Sequence, residues 1–193
     1  MNRLPEEIVT PRLILRVPTV ADAPEINRAI RDSFAELNEW MPWAVEPQTM
    51  EESEEFCTKS RRKWRDDSEY AVLMILKESG ALVGGCGFPN LDWEVPKFEV
   101  GYWCHSAHVG RGYVSEATHA LTLLAFDRFD AVRVEIRMDD NNERSWRVAQ
   151  RLGFELEAVI HAETRTNNGS LRDTRVYALF NGLGLQALPE ETP

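Results

Sequence analysis

Cysteine is scarce and odd in number: Cys57, Cys86 and Cys104 are the only three in 193 residues. Three widely spaced thiols exclude a disulfide framework and point to reduced cysteines, so a cytoplasmic location is expected. Long apolar runs are missing too. No stretch approaches the ~20 apolar residues that span a bilayer, and the opening MNRLPEEIVTPRL carries no apolar signal core. Positive charge is in deficit, with 22 Lys and Arg against 32 Asp and Glu, a formal net charge of −10. That balance repels a phosphate backbone, so neither nucleic acid nor membrane is expected as a partner, whereas a cationic acceptor is compatible with it. No internal repeat and no low-complexity linker divides the chain.

Two phosphate motifs are incomplete. A dinucleotide fold needs G-x-G-x-x-G, and the chain has Gly110-Arg111-Gly112 without the third glycine; G-x-x-x-x-G-K-[ST] does not occur. No G-x-S-x-G elbow surrounds a serine. Cys104, His105 and His108 lie close in sequence, but no second Cys/His cluster completes a zinc set, so no metal is expected.

What remains is an ordinary soluble composition, 43% hydrophobic and 28% charged, long enough to bury one good core. Alternation predicts strands over 12–17, 69–77, 81–88, 97–105, 132–138, 154–160 and 172–180. Helical spacing predicts helices over 19–34, 50–67, from Ser115 onward and over 141–152, with Thr19 and Asn142 as caps. The aromatic stretch 39–49, interrupted by Pro42 and Pro47, and the segment around Asn167-Asn168-Gly169 read as loops. In the strand 97–105, Phe98, Val100 and Tyr102 share one face, while Glu99, Gly101 and Trp103 share the other. The whole is an α/β domain with a mixed sheet flanked by helices, over residues 8–181, followed by a C-terminal tail at 182–193.

The strand–glycine turn–helix order around 105–126 places backbone amides of Gly110 to Val114 at a helix start. There they either bind an anion or simply turn the chain. Glu116, in the first turn, is expected to point away from such a site. In the helix 141–152, Ser145, Val148, Ala149 and Leu152 share one face, which turns the Ser145 hydroxyl inward.

The segments TPRLILR, WMPW, VGYWCHSAHVGRGYVSEA, VRVEIRMDDNNERSWRVAQRLGFELEA and LRDTRVYAL, in this order across Thr10 to Phe180, resemble the GNAT superfamily of acyl-CoA-dependent N-acetyltransferases, and within it the RimJ/RimL branch. The resemblance implies a mostly antiparallel mixed sheet, splayed where acetyl-CoA binds. It implies that the strand with Tyr102, Trp103 and Cys104 pairs with the pantetheine arm, and that Val109, Gly110, Arg111, Gly112, Tyr113 and Val114 hold the pyrophosphate. The usual turn is Gln/Arg-x-x-Gly-x-Gly/Ala; Val109 and Val114 depart from it, which leaves the backbone to bind. Asn142 and Ser145 match N-x-x-S, the Asn near the cofactor and the Ser near its sulfur as general acid. Glu99 and Glu163 are the candidate bases, and Trp40 and Trp43 the acceptor walls. The implied reaction is direct transfer of acetyl to a protein N-terminal α-amine, as a monomer or homodimer. A small amine (polyamine, amino acid or antibiotic) as acceptor and a non-catalytic acyl-CoA-binding protein are the alternatives.

Overall fold

The computed structural model describes residues 3–188. Its elements run β1 (Glu7–Val9), β2 (Leu13–Arg16), α1 (Ala23–Asp32), α2 (Phe34–Trp40), α3 (Met50–Arg65), β3 (Tyr70–Leu76), β4 (Leu82–Asp92), β5 (Lys97–Cys104), α4 (Tyr113–Phe129), β6 (Arg133–Asp139), α5 (Glu143–Arg151), β7 (Glu155–Arg165) and β8 (Leu171–Leu179). The eight strands form one open sheet in the order β1-β2-β3-β4-β5-β6-β8-β7. Every neighbouring pair is antiparallel except β5 and β6.

Two apolar clusters hold helices to this sheet. Leu13, Leu15, Val100, Leu121 and Ala149 belong to the first, which packs α4 and α5 on one face. Ile26, Ile30, Leu37 and Cys57 from α1, α2 and α3 meet Leu73, Leu82 and Trp103 in the second. The helix starts follow from capping chemistry. Thr49 Oγ1 accepts from the Glu52 N–H at 3.2 Å while Glu52 accepts from the Thr49 N–H at 2.7 Å. Acids at its start and Arg62, Lys63 and Arg65 at its end suit the dipole of α3. All three cysteines are free thiols. Burial pushes them up, to about 11 for Cys57, about 12 for Cys86 and about 11 for Cys104, which keeps them protonated at neutral pH.

Several boundaries differ from the sequence reading. The helix expected over 19–34 breaks at Ser33, whose buried Oγ accepts from the Ser106 N–H at 2.9 Å, and α2 then takes in the first residues of the expected loop. β4 runs past the expected end at 88 to Asp92, beyond a bulge between Gly87 and Asn90. β7 extends to Arg165 through another irregularity between Ile160 and Thr164, where Ala162 takes φ +53. Glu163, beyond the expected strand end at 160, therefore lies within β7. The chain after β8 also packs, as far as it is described: Gln186 N–H donates to Leu152 C=O at 3.0 Å, and Leu185 and Leu188 meet the main core. Residues 189–193 of the expected tail lie outside the described residues.

Glu116 does point away from the start of α4, and it is buried, at 2% exposure. It accepts from Thr10 Oγ1 at 2.6 Å, the Arg12 N–H at 2.7 Å and Arg12 Nε at 2.6 Å, tying α4 to β2. Burial alone would raise its pKa, but these donors outweigh it and hold the carboxyl below the usual range. The carboxylate thus stabilises the fold above the unfolded-state pKa, and that contribution is lost as pH falls through the lower folded value. Glu116→Ala is expected to cost ~3 kcal/mol, a Tm lower by roughly 6–12 °C at neutral pH, because three donors lose their common acceptor. Thermal unfolding at pH 7 and pH 3 checks this, and the deficit should shrink at the lower pH.

Candidate active site

The functional geometry begins where β5 and β6 part. Their parallel pairing covers only Lys97, Phe98 and Glu99 against Arg133, Val134 and Glu135, and then the strands diverge. The other edge of β5 stays paired to β4, with Cys86 opposite Tyr102 and Gly84 opposite Cys104. Because His105 N–H donates to Val83 C=O, strand alternation turns the backbone groups of Tyr102 and Cys104 toward the gap. A cavity of about 520 Å³ fills the divergence. It joins the two faces of the sheet, so side chains from both faces meet in it.

From the face of α4 and α5 comes a hydroxyl pair. Asn142 caps α5, its Oδ1 accepting from the Ser145 N–H at 3.1 Å, and so fixes Ser145 on the first turn. Ser145 Oγ lies 3.0 Å from the Tyr102 hydroxyl, which also reaches the Ser145 carbonyl at 3.2 Å. Burial drives the Tyr102 phenol far above its ordinary pKa and keeps it protonated. Asn142, Ser145 and Tyr102 all line the cavity.

From the opposite face come carboxylates and aromatics. Glu99 accepts from Asn90 Nδ2 at 2.8 Å, across the bulge of β4. Burial raises its pKa, only partly offset by Asn90 and Arg137, while Glu135 and Glu163 add to the rise. Glu163 lines the same cavity but is ion-paired with Arg137. Arg137 also lies 3.7 Å from Glu135. The two acids are therefore inequivalent: Glu163 is neutralised by a direct cationic contact, and Glu99 is held by a neutral amide. Trp40 and Trp43 form part of the far wall with Met41, Pro42 and Phe56. Trp43 meets Trp103 edge-on with ring centroids 6.4 Å apart.

The glycine turn stands at the start of α4. The first bond of that helix runs from Glu116 N–H to Gly112 C=O, so the amides from Gly112 to Ser115 have no intrahelical acceptor. Gly110 and Gly112 adopt φ +81 and +78, which side-chain-bearing residues rarely take. A Cβ at Gly110 would meet nothing within 4 Å, so its own conformation within the chain is what calls for glycine. Val109 and Arg111 are exposed, and Arg12 Nη1 donates to the Arg111 carbonyl at 3.0 Å. Arg12 also lies over the Tyr113 ring at 4.7 Å. Beside the turn, Arg151 Nη1 donates to Ser115 Oγ at 2.9 Å.

Of the residues singled out from the sequence, Tyr102, Trp103, Asn142, Ser145, Glu99, Glu163, Trp40 and Trp43 converge on one cavity. Cys104 and the turn 109–114 flank it without lining it. Sequence reasoning missed Asn90, Arg137, Asp139 and Arg172. Arg172 and Asp139 form a pair at 3.7 Å, exposed by only 10% and 5%. Arg137 alone had a local signal: it follows Glu135 by two positions on β6, and so shares its face of the strand.

The family model described as an acetyltransferase (GNAT) domain matches residues 12–155. YdaF of Bacillus subtilis, whose assignment as a ribosomal N-acetyltransferase is provisional, is 28% identical over 172 residues, 89% of this chain and 93% of its own length. The ribosomal-protein-serine acetyltransferase of Escherichia coli is 28% identical over 109 residues, 56% of this chain and 60% of that relative. The uncharacterized N-acetyltransferase p20 of Bacillus licheniformis is likewise matched over 60% of its length, at 29% identity and 55% of this chain. Among solved structures, RimL, the ribosomal L7/L12 alpha-N-protein acetyltransferase in complex with coenzyme A, superposes with a TM-score of 0.84 at 22% identity, covering 91% of this chain and 97% of RimL. At that identity the likeness is one of fold.

Proposed function

Because the chain belongs to the GNAT acetyltransferase family, we propose that it moves an acetyl group from acetyl-CoA to a primary amine, the N-terminal α-amine of a protein. The observation that carries this reading is the gap between β5 and β6, lined by the Ser145 hydroxyl from one face and the Glu99 carboxyl from the other. The thioester supplies an activated acyl carbon; the chain supplies position and protons. The amides of Gly112 to Ser115, with the helix dipole, bind the donor's pyrophosphate. The gap-facing backbone of Tyr102 and Cys104 takes the pantetheine arm, and an amide there polarises the thioester oxygen.

Glu99 accepts the ammonium proton, directly or through one water, and the neutral amine attacks the acyl carbon. The new N–C bond forms as the C–S bond breaks, the Ser145 hydroxyl delivers a proton to the departing sulfur while Tyr102 holds its oxygen, and the proton that the acylated nitrogen sheds returns to Ser145 through water. An α-amine of pKa ~7.7–8.0 is roughly a tenth neutral at pH 7, against well under a thousandth for lysine. A single carboxylate base therefore suffices for the α-amine. The names of YdaF and the Escherichia coli relative support the same acceptor class. Trp40 and Trp43 wall the acceptor side, and the acids around it suit a cationic amine.

The test is a thiol-release screen with acetyl-CoA over peptides and small amines, where peptides with free N-termini should be the fastest acceptors. Release with polyamines or amino acids alone would reassign the acceptor, and acetyl-CoA binding without release would leave a binding protein. Gly110→Ala and Gly112→Ala should each weaken acetyl-CoA by about tenfold, since a left-handed residue with a Cβ costs ~1–2 kcal/mol. Calorimetric titration reads it, and undiminished affinity in both would remove the turn from the donor site.

A further inference from the structure

We propose that Asn167 is a positioning residue which, from the turn between β7 and β8, latches the aromatic wall of the cavity and so sets the affinity for the amine without touching it. The two hydrogens of its Nδ2 are shared among three carbonyls of one short segment: Asn38 at 2.8 Å, Met41 at 3.1 Å and Ala44 at 3.3 Å. Asn38 lies in the last turn of α2, where carbonyls lack intrahelical donors, and Met41 is its C-cap, whose carbonyl also accepts from the Ala44 N–H at 3.0 Å. One amide, more than 120 positions away in sequence, thus closes α2 and the loop after it. The segment it gathers carries Trp40 and Trp43. Two further bonds reinforce the closure: Asn38 Nδ2 donates to Ala44 C=O at 2.8 Å, and Arg172 Nη1 reaches Trp40 C=O at 3.5 Å.

The turn itself is stiff enough to serve as an anchor. Thr166 N–H donates to Ser170 C=O at 2.9 Å and Arg165 Nη1 to Gly169 C=O at 2.6 Å. Asn167 is half-buried and is not a cavity-lining residue. It therefore acts on the site only through the wall it holds. The hairpin is continuous with β7 and β8, which supply Glu163 and Arg172 to the same cavity. The latch fixes the aromatic wall to the strands that bear these charges, so acceptor wall and cavity floor move as one body.

This inference rests on the acceptor-side reading given above. The test uses Asn167→Ala and the near-isosteric Asn167→Asp, which keeps the volume and removes the donor. Three readouts are taken: KM for the peptide acceptor, KM for acetyl-CoA, and hydrogen exchange of the Met41 and Ala44 amides. Both variants should raise the acceptor KM roughly tenfold, leave the acetyl-CoA KM unchanged, and speed exchange at those amides. Unchanged exchange in Asn167→Asp would overturn the latch. Faster exchange with an unchanged acceptor KM would overturn its role in affinity and show that the aromatic wall is not the acceptor wall. A wild-type enzyme that transfers to no amine would bring down the functional reading, and the exchange arm would still decide the latch.

Discussion

Ser145→Ala is expected to lower kcat by about 10²-fold while acetyl-CoA binds as before. The expected loss is at the lower end for a general acid because a thiolate is a tolerable leaving group, thiols being far more acidic than alcohols (~8.5 for a cysteine side chain). In the proposed mechanism the hydroxyl adds a proton delivered as the C–S bond opens, in a cavity where Asn142 and Tyr102 fix its position. Donor affinity should survive, because the backbone amides at α4 proposed to hold the pyrophosphate are not touched by the substitution. Tyr102→Phe removes the phenol that lies 3.0 Å from Ser145 Oγ and should reproduce part of the same loss, again in kcat. Stopped-flow thiol release under saturating donor measures both. A Ser145→Ala enzyme turning over at the wild-type rate would exclude the hydroxyl from the chemistry.

Glu99→Gln should reduce kcat/KM at neutral pH by about 10²-fold, and Glu163→Gln by far less. The base must be ionised to accept a proton, so activity falls as pH drops through its pKa. Burial raises the Glu99 carboxyl, which places the acid limb of the rate profile above the ordinary glutamate value of ~4.3. Glu99→Gln abolishes that limb. Four groups face Glu99: Asn90 from β4, Glu135 and Arg137 from β6, and Glu163 from β7. Glu163→Gln removes a like charge and frees Arg137 from its present partner, so both effects favour the ionised form of Glu99. The acid limb should therefore move to lower pH in Glu163→Gln. A limb unmoved in that variant, together with full activity in Glu99→Gln, would reverse the assignment of the base.

Local pattern made a good part of this legible. Asn142 before α5 and the alternation of 97–105 each express short-range chemistry, and the cap, the helix and the two faces of β5 follow from it. The inward turn of Ser145 also follows from helical spacing. What stayed hidden depends on contacts distant in sequence. The bulge that lengthens β4, the Ala162 kink that carries β7 past Glu163, and the break of α1 at Ser33 are each settled by a partner on another element. The difference between Glu99 and Glu163 belongs to the same class. Both are carboxylates on strands, and only the place of Arg137 beside one of them separates the proposed base from the ion pair.

On the proposed function, the chain acetylates an α-amine through the gap between β5 and β6. The most direct measurement presents both amine types in one molecule: a peptide with a free N-terminus and an internal lysine, incubated with acetyl-CoA and sequenced by tandem mass spectrometry. Acetyl on the N-terminal nitrogen, with the lysine unmodified and the product lost in Glu99→Gln, is the expected result. Acetyl on the lysine alone, or an unmodified peptide beside an enzyme that binds acetyl-CoA, would rule out transfer to the α-amine.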